Sequence, residues 1–195
     1  MIIYHMIQNY TLPAGFYFQQ NLLDLKTHLY LLRDPRAVIN SQGRNFRDFS
    51  WSDSAPAIYC DRLTRDLDSV GRLKQLYPGR VKVMRYEDGA TYPHEYTAVI
   101  YGFLGLRLSN DVKDFVDFLT SGDDHYEYGH RRSDPTATMQ KWRYNMYYER
   151  VALIDEHCGH LYPYLGYRKV ESKTDLISNR TLVYNLGTWG SLQKL

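Results

Sequence analysis

No stretch of this 195-residue chain approaches the roughly 18 consecutive apolar residues of a bilayer-spanning helix. The opening MIIYHMI is too short, and lacks the basic flank, to act as a secretory signal. Charge of one sign is also missing: 24 Lys and Arg stand against 22 Asp and Glu, a net +2. That excludes the broad positive field of a nucleic-acid binder, and no nucleic-acid partner is expected. Cysteine is scarce. Cys60 and Cys158 allow one disulfide or two buried thiols. His125 and His130 lie five apart in the loop-like SGDDHYEYGHRRSDP, and nothing nearby completes a ligand set, so no metal is expected. No G-x-x-x-x-G-K-[ST] string occurs, so a phosphate loop of that type is missing. Internal repeats and low-complexity tracts are absent, and the length suits one domain with a real core.

What is present centres on THLYLLRDPRAVINS, residues 27–41. The apolar run His28 to Leu32 predicts a strand buried on both faces. It stops at Arg33, Asp34 and Pro35. Asp34 can cap a helix, and Pro35 suits a first helical turn. The helix should carry Arg36 to about Ser41. The carboxyl end of a parallel strand, followed at once by a helix N-terminus, is where α/β proteins hold anions. Arg33 at the strand tip and Ser41 on the helix can grip a phosphate from two sides. The alternative on local pattern alone is that Arg33 pairs with a carboxylate.

Further on, Leu63, Leu67, Val70, Leu73 and Leu76 recur at helical spacing between Ile58 and Tyr77, and Pro78–Gly79 ends that helix. RVKVMRYE, from Arg80 to Glu87, reads as a second strand. Strand, helix, strand is a βαβ unit with a parallel sheet. Pro93 to Leu104 should form a helix stopped by Gly105. Ser109 should cap another over Asn110 to Leu119, with Val112, Phe115, Val116 and Leu119 inward. Val151, Ile154, Cys158, Leu161 and Leu165 form a last inward seam. Residues 43–57 read as a loop, with Phe46, Phe49 and Trp51 as candidate contacts. Pro13 and Gly15 mark a turn, and Asn21 to Lys26 can close a short helix. His130, Arg131 and Arg132 make a basic triplet that can face phosphate or a sulfated glycan, or simply solvent. The tripeptides at Asn9 and Asn179 are glycosylation sequons.

Three of these blocks resemble one family. LLRDPRAVINS is similar to the 3′-phosphate-binding segment of sulfotransferases, above all the Golgi carbohydrate sulfotransferases. VMRYEDGATYPHEYTAVIYGFLGL resembles their Arg-Tyr-Glu-Asp-Leu strand end and following helix, with Gly89 in place of the usual Leu. The stretch from Trp142–Arg143 to Leu165–Gly166–Tyr167 resembles their closing block. The likeness runs from about Leu25 to Tyr167. It implies that Arg33 and Ser41 hold the 3′-phosphate of 3′-phosphoadenosine 5′-phosphosulfate (PAPS), and that Tyr86 lies near the adenine. On the residues themselves Glu87 reads as a strand-end anchor that partners a buried arginine, and the resemblance makes Arg143 a late cofactor contact. Gln42 stands where the family often has a basic residue. The Arg-x-Gly-Ser-Ser loop of the carbohydrate enzymes, which holds the 5′-phosphosulfate, does not occur in the sequence.

The fold class expected is therefore α/β, a P-loop NTPase-like three-layer fold with a parallel sheet, its N-terminal strand and phosphate loop missing. Residues 1–171 should form a partial sulfotransferase domain and 172–195 a C-terminal tail. The implied activity is PAPS-dependent transfer of a sulfuryl group to a sugar hydroxyl of a glycan, in the Golgi lumen. The alternative is a truncated, non-catalytic relative that binds nucleotide, glycan or a partner subunit. No catalytic base can be named, since His28 sits inside the strand.

Overall fold

The structure, a computed structural model, describes residues 3–4, 27–45, 54–120, 134–178 and 180–183. Asn9, Pro13, Gly15, residues 21–26, Phe46, Phe49, Trp51, His125, the 130–132 triplet and Asn179 lie outside them. The fold is α/β and mostly helical, around a small parallel sheet.

Strands β1 (Ile3–Tyr4), β2 (His28–Leu32) and β3 (Val81–Arg85) lie side by side in that order. Both pairings are parallel, and β2 runs against β3 from His28↔Val81 to Leu32↔Arg85. A strand thus does precede β2, although it is only two residues long. The expectation of a β2 buried on both faces needs correction. Only Leu32 is buried; His28 to Leu31 are half-covered. Leu29 and Leu31 instead face an apolar groove of about 350 Å³, shared with Met84, Tyr86, Tyr96 and Ile100.

The crossover from β2 to β3 contains two helices, α1 (Pro35–Asn45) and α2 (Ala55–Leu76). Residues 43–45, read as loop, continue α1, and α2 starts at Ala55 rather than Ile58 because Pro56 fits its first turn. Leu63, Leu67, Val70 and Leu73 are buried, as their spacing requires. Leu76 is not: it is 69% exposed, on the last turn, where the helix has run past the core. Gly79, at φ 76°, turns the chain into β3.

β3 stops at Arg85, two residues short of the expected Glu87, because α3 (Tyr86–Thr91) begins at once. Glu87 and Asp88 suit that helix's first turn, where backbone N–H groups favour negative charge. Then come α4 (Pro93–Leu104) and α5 (Asn110–Thr120). Gly105 ends α4 in the left-handed conformation, and the Leu106 N–H reaches back to the Tyr101 carbonyl. The Ser109 hydroxyl accepts from the Val112 N–H at the start of α5. Phe115, expected inward, is 57% exposed and stacks on Phe118 instead.

The closing block supplies α6 (Pro135–Gln140), α7 (Trp142–Asn145), α8 (Tyr148–Cys158), α9 (Tyr162–Leu165) and α10 (Lys173–Leu176). Val151, Ile154, Cys158, Leu161 and Leu165 are all buried. α8 packs along α2, and Cys60 and Cys158 join the two through a disulfide. The segment beyond residue 171 contributes Leu176 and Leu182 to the same core.

Candidate functional site

The register of the sheet builds the site. Leu32 is opposite Arg85, so the next residues, Arg33 and Tyr86, leave the two strands side by side. The Arg33 guanidinium carbon lies 4.4 Å from the Tyr86 ring centroid. Such stacking holds a cation in place while leaving its N–H groups free for an anion. Among the described residues no carboxylate pairs with Arg33, and its Nε is buried without a hydrogen-bond partner. The local alternative, an Arg33–carboxylate pair, is therefore not found among the described residues. Ser41 is half-buried on α1, six residues after Pro35, or about 9 Å along the helix axis.

The carboxylate beside Arg33 is committed elsewhere. Asp34 caps α1, its Oδ1 accepting the Arg36 N–H at 2.9 Å. The Arg36 guanidinium then folds back on Asp34, with Nε donating to Oδ1 at 2.9 Å and Nη2 to Oδ2 at 2.8 Å. Its Nη1 reaches Asp155 at 3.3 Å and the Arg168 carbonyl at 2.8 Å. Trp142 and Tyr162 cover its two sides, with centroids 4.7 and 4.9 Å away. Arg36 has no solvent exposure. Burial opposes its charge, but Asp34, Tyr162 and Asp155 outweigh that and keep it protonated. Asp155 also accepts from the Tyr162 hydroxyl and the Val170 N–H. Burial pushes its carboxyl up, against the pull of Arg36. This knot fastens α1 to α8 and to the chain after Tyr167.

Sequence reading missed the knot. Two signals pointed to it. Arg36 sits in the first turn of a helix, where a free cation is unfavourable, and Asp155 interrupts the apolar seam beside Ile154.

Glu87 also departs from expectation. It is buried, but among the described residues no arginine pairs with it. Its Oε1 accepts the Asp34 N–H at 2.9 Å, and its Oε2 accepts the Tyr167 hydroxyl at 2.8 Å. Burial raises its carboxyl to about 7, with Asp34 adding to the rise and the hydrogen bonds opposing it. The buried arginine of that strand end, Arg85, bonds Asp88 and the carbonyls of Leu165 and Gly166.

Arg143 is corrected too. Its guanidinium donates to the carbonyls of Asp175, Leu176, Ser178 and Arg180 and to the Gln140 side chain. These bonds occupy its donors, so it fastens the C-terminal segment and is not free to meet a cofactor. Beside it, a cleft of about 280 Å³ opens between Glu87, Asp88, Tyr92, Gln140 and Thr181.

Over most of its length the chain matches known proteins. Carbohydrate sulfotransferase 1 of Rattus norvegicus is 31% identical, over 79% of this chain and 41% of its own length. The Homo sapiens protein of the same name matches at the same identity and coverage. The chain belongs to the carbohydrate sulfotransferase family. Carbohydrate sulfotransferase 6 of Homo sapiens is more distant, 26% identical over 84% of this chain and 48% of its own length. No family model matches the chain. The chain spans less than half the length of the curated relatives it matches. Among its described residues, no helix is long and apolar enough to cross a membrane.

Proposed function

We propose that this chain carries the 3′-phosphate and adenine side of a PAPS-dependent carbohydrate sulfotransferase site. Arg33 and Ser41 would hold the 3′-phosphate, and Tyr86 would lie against the adenine. The observation that carries this reading is Arg33 itself. It is a forked cation at the carboxyl end of a parallel strand, stacked on Tyr86, with a buried Nε that has no hydrogen-bond partner among the described residues. A phosphate oxygen is the kind of acceptor such a group lacks. Asp34, next to it, would repel an anion if free, but its charge is spent on Arg36. The groove beginning at Tyr86 and running over Met84 and Tyr96 offers the apolar surface that a purine needs.

The cosubstrate would supply the sulfuryl group, and a sugar hydroxyl of a glycan would accept it. The protein's part is to position the nucleotide and offset charge on the leaving oxygens. We read the fold as the later part of a P-loop NTPase-like three-layer architecture, with residues 1–171 forming the partial sulfotransferase domain. The working compartment we propose is the Golgi lumen, where the Cys60–Cys158 disulfide is stable and Asn9 and Asn179 could carry glycans. The test is calorimetric binding of adenosine 3′,5′-bisphosphate to the chain. Binding should occur and be lost, by at least tenfold, on Arg33→Ala. Equal binding by wild type and variant rejects the assignment.

A second reading has its own support. The sequence contains no Arg-x-Gly-Ser-Ser string, so nothing in it matches the loop that would hold the 5′-phosphosulfate. On that reading the chain binds nucleotide, glycan or a partner subunit without turnover. Labelled PAPS separates the two: sulfation of a glycan by the purified chain rejects the second, and binding without transfer supports it.

A further inference from the structure

We propose that Glu87 is a positioning residue for the phosphate site, a latch whose carboxylate, braced by Tyr167, sets the Arg33–Asp34 turn so that the Arg33 guanidinium seats on Tyr86. This rests on the nucleotide reading above. Two adjacent residues at the end of β3 grip two adjacent residues at the end of β2. Tyr86 lies under the Arg33 guanidinium at 4.4 Å. Glu87 Oε1 takes the Asp34 N–H at 2.9 Å. The backbone pairing of the strands ends at Leu32 and Arg85, so these side chains continue the register where the ladder has stopped.

The latch has a second anchor. Tyr167 donates its hydroxyl to Glu87 Oε2 at 2.8 Å, and its backbone N–H is tied to the Tyr162 carbonyl. Three segments far apart in sequence therefore meet at one carboxylate: the Arg33–Asp34 turn, the Tyr86–Glu87 turn and the Leu165–Tyr167 turn. A carboxylate with both oxygens engaged by fixed donors, and 3% exposed, fixes geometry. It does so at a cost, because burial and the neighbouring Asp34 both disfavour its charge. A side chain held in an expensive state by its surroundings points to a positional demand, and the demand here is the orientation of Arg33.

The groups that face Glu87 set the pH behaviour of the latch. Asp34 after β2 adds negative charge, and Asp88 on α3, paired with Arg85, lines the same cleft. Arg85 at the end of β3 and Arg143 on α7 share the same cleft, both bonded to main-chain carbonyls. Tyr96 on α4 and Tyr167 are neutral, held above their ordinary range first by burial. The ionised carboxylate makes the stronger bond to the Asp34 N–H. That amide therefore senses the proton on Glu87.

The test uses the whole chain, labelled with nitrogen-15. The Asp34 amide shift should titrate with a midpoint near 7, and Glu87→Gln should flatten it. Gln keeps an acceptor for the amide and a polar partner for Tyr167, so nucleotide affinity should stay within about threefold. Glu87→Ala should speed exchange of the Asp34 amide and weaken adenosine 3′,5′-bisphosphate about tenfold. Tyr167→Phe should fall between the two. A flat Asp34 amide in the wild type overturns the latch. A titrating amide with undiminished affinity in Glu87→Ala, while Arg33→Ala loses binding, overturns the positioning role and leaves the nucleotide reading intact. Undiminished affinity in Arg33→Ala removes the nucleotide reading and the positioning role together.

Discussion

Replacing Arg36 by Met keeps the length and the apolar stem but deletes the charge at the centre of the buried knot. The guanidinium makes two short bonds to Asp34, at 2.9 and 2.8 Å, reaches Asp155 at 3.3 Å, and satisfies the Arg168 carbonyl at 2.8 Å. Removing one partner of a buried ion pair typically costs about 3–5 kcal/mol, because the abandoned charges remain buried. At roughly 2–4 °C per kcal/mol for a chain of this size, Tm should fall by about 6–20 °C. The loss should depend on pH in a defined direction. With Arg36 gone, the largest pull against the burial that pushes the Asp155 carboxyl up is lost, and only the bonds from Tyr162 and Val170 still oppose it. Its folded-state value then lies well above its unfolded one. Such a carboxyl binds its proton more tightly in the folded state, so the variant regains stability as pH falls. Thermal unfolding of Arg36→Met and wild type at pH 7.5 and 5 measures both effects. The double change Arg36→Met with Asp155→Asn should recover at least about 1 kcal/mol of the deficit at pH 7.5. A variant within about 2 °C of wild type, or a deficit identical at both pH values, would refute the reasoning.

Glu87 gives the complementary pH prediction. Its carboxyl rises from 4.5 to about 7 in the folded chain, so its charge opposes folding above that value. As pH rises from about 4.5 to 7 the wild type should lose on the order of 3 kcal/mol that Glu87→Gln does not lose, read as the difference between their denaturant midpoints at pH 5 and pH 8. A parallel pH dependence in both proteins would contradict the buried placement. The Cys60–Cys158 disulfide spans 98 residues, so replacing both by Ser should cost about 2–5 kcal/mol, and thiol titration of the unreduced chain in denaturant should find no free thiol. Arg143→Leu strips donors from the carbonyls of Asp175, Leu176, Ser178 and Arg180; a loss of roughly 2–3 kcal/mol should come with faster proteolysis after residue 171. If cleavage there is unchanged, the clamp is not what holds that segment.

The helical seams were legible because they are local. Leu63, Leu67, Val70 and Leu73, and later Val151, Ile154 and Cys158, are buried as their spacing demands. Spacing fails at Leu76 and Phe115, both exposed, because periodicity names a face and not whether anything covers it. The same limit explains β2, where an apolar run reads as buried on both sides although Leu29 and Leu31 border an open groove. Arg33 was legible as a strand-tip cation, but its stacking on Tyr86 depends on the parallel register. Arg143 shows the converse. In sequence it is one more arginine near a matching motif, and only the return of residues 175–180 past it reveals a structural clamp.

The sequence by itself determined the βαβ order, the strand-to-helix junction at Arg33–Asp34–Pro35 and the helix stop at Gly105. These follow from side-chain period, capping chemistry and backbone sterics acting over a few residues. It also carried the family, through three blocks in a fixed order. Only the tertiary structure decided what the charged residues of those blocks do. It neutralised Asp34 with Arg36 and gave Glu87 to a backbone N–H and Tyr167. It left Arg33 with a ring for a neighbour and no carboxylate among the described residues. The physical reason is that a buried charge takes the partner that geometry brings to it. Here the partners come from 53, 80 and 119 residues away.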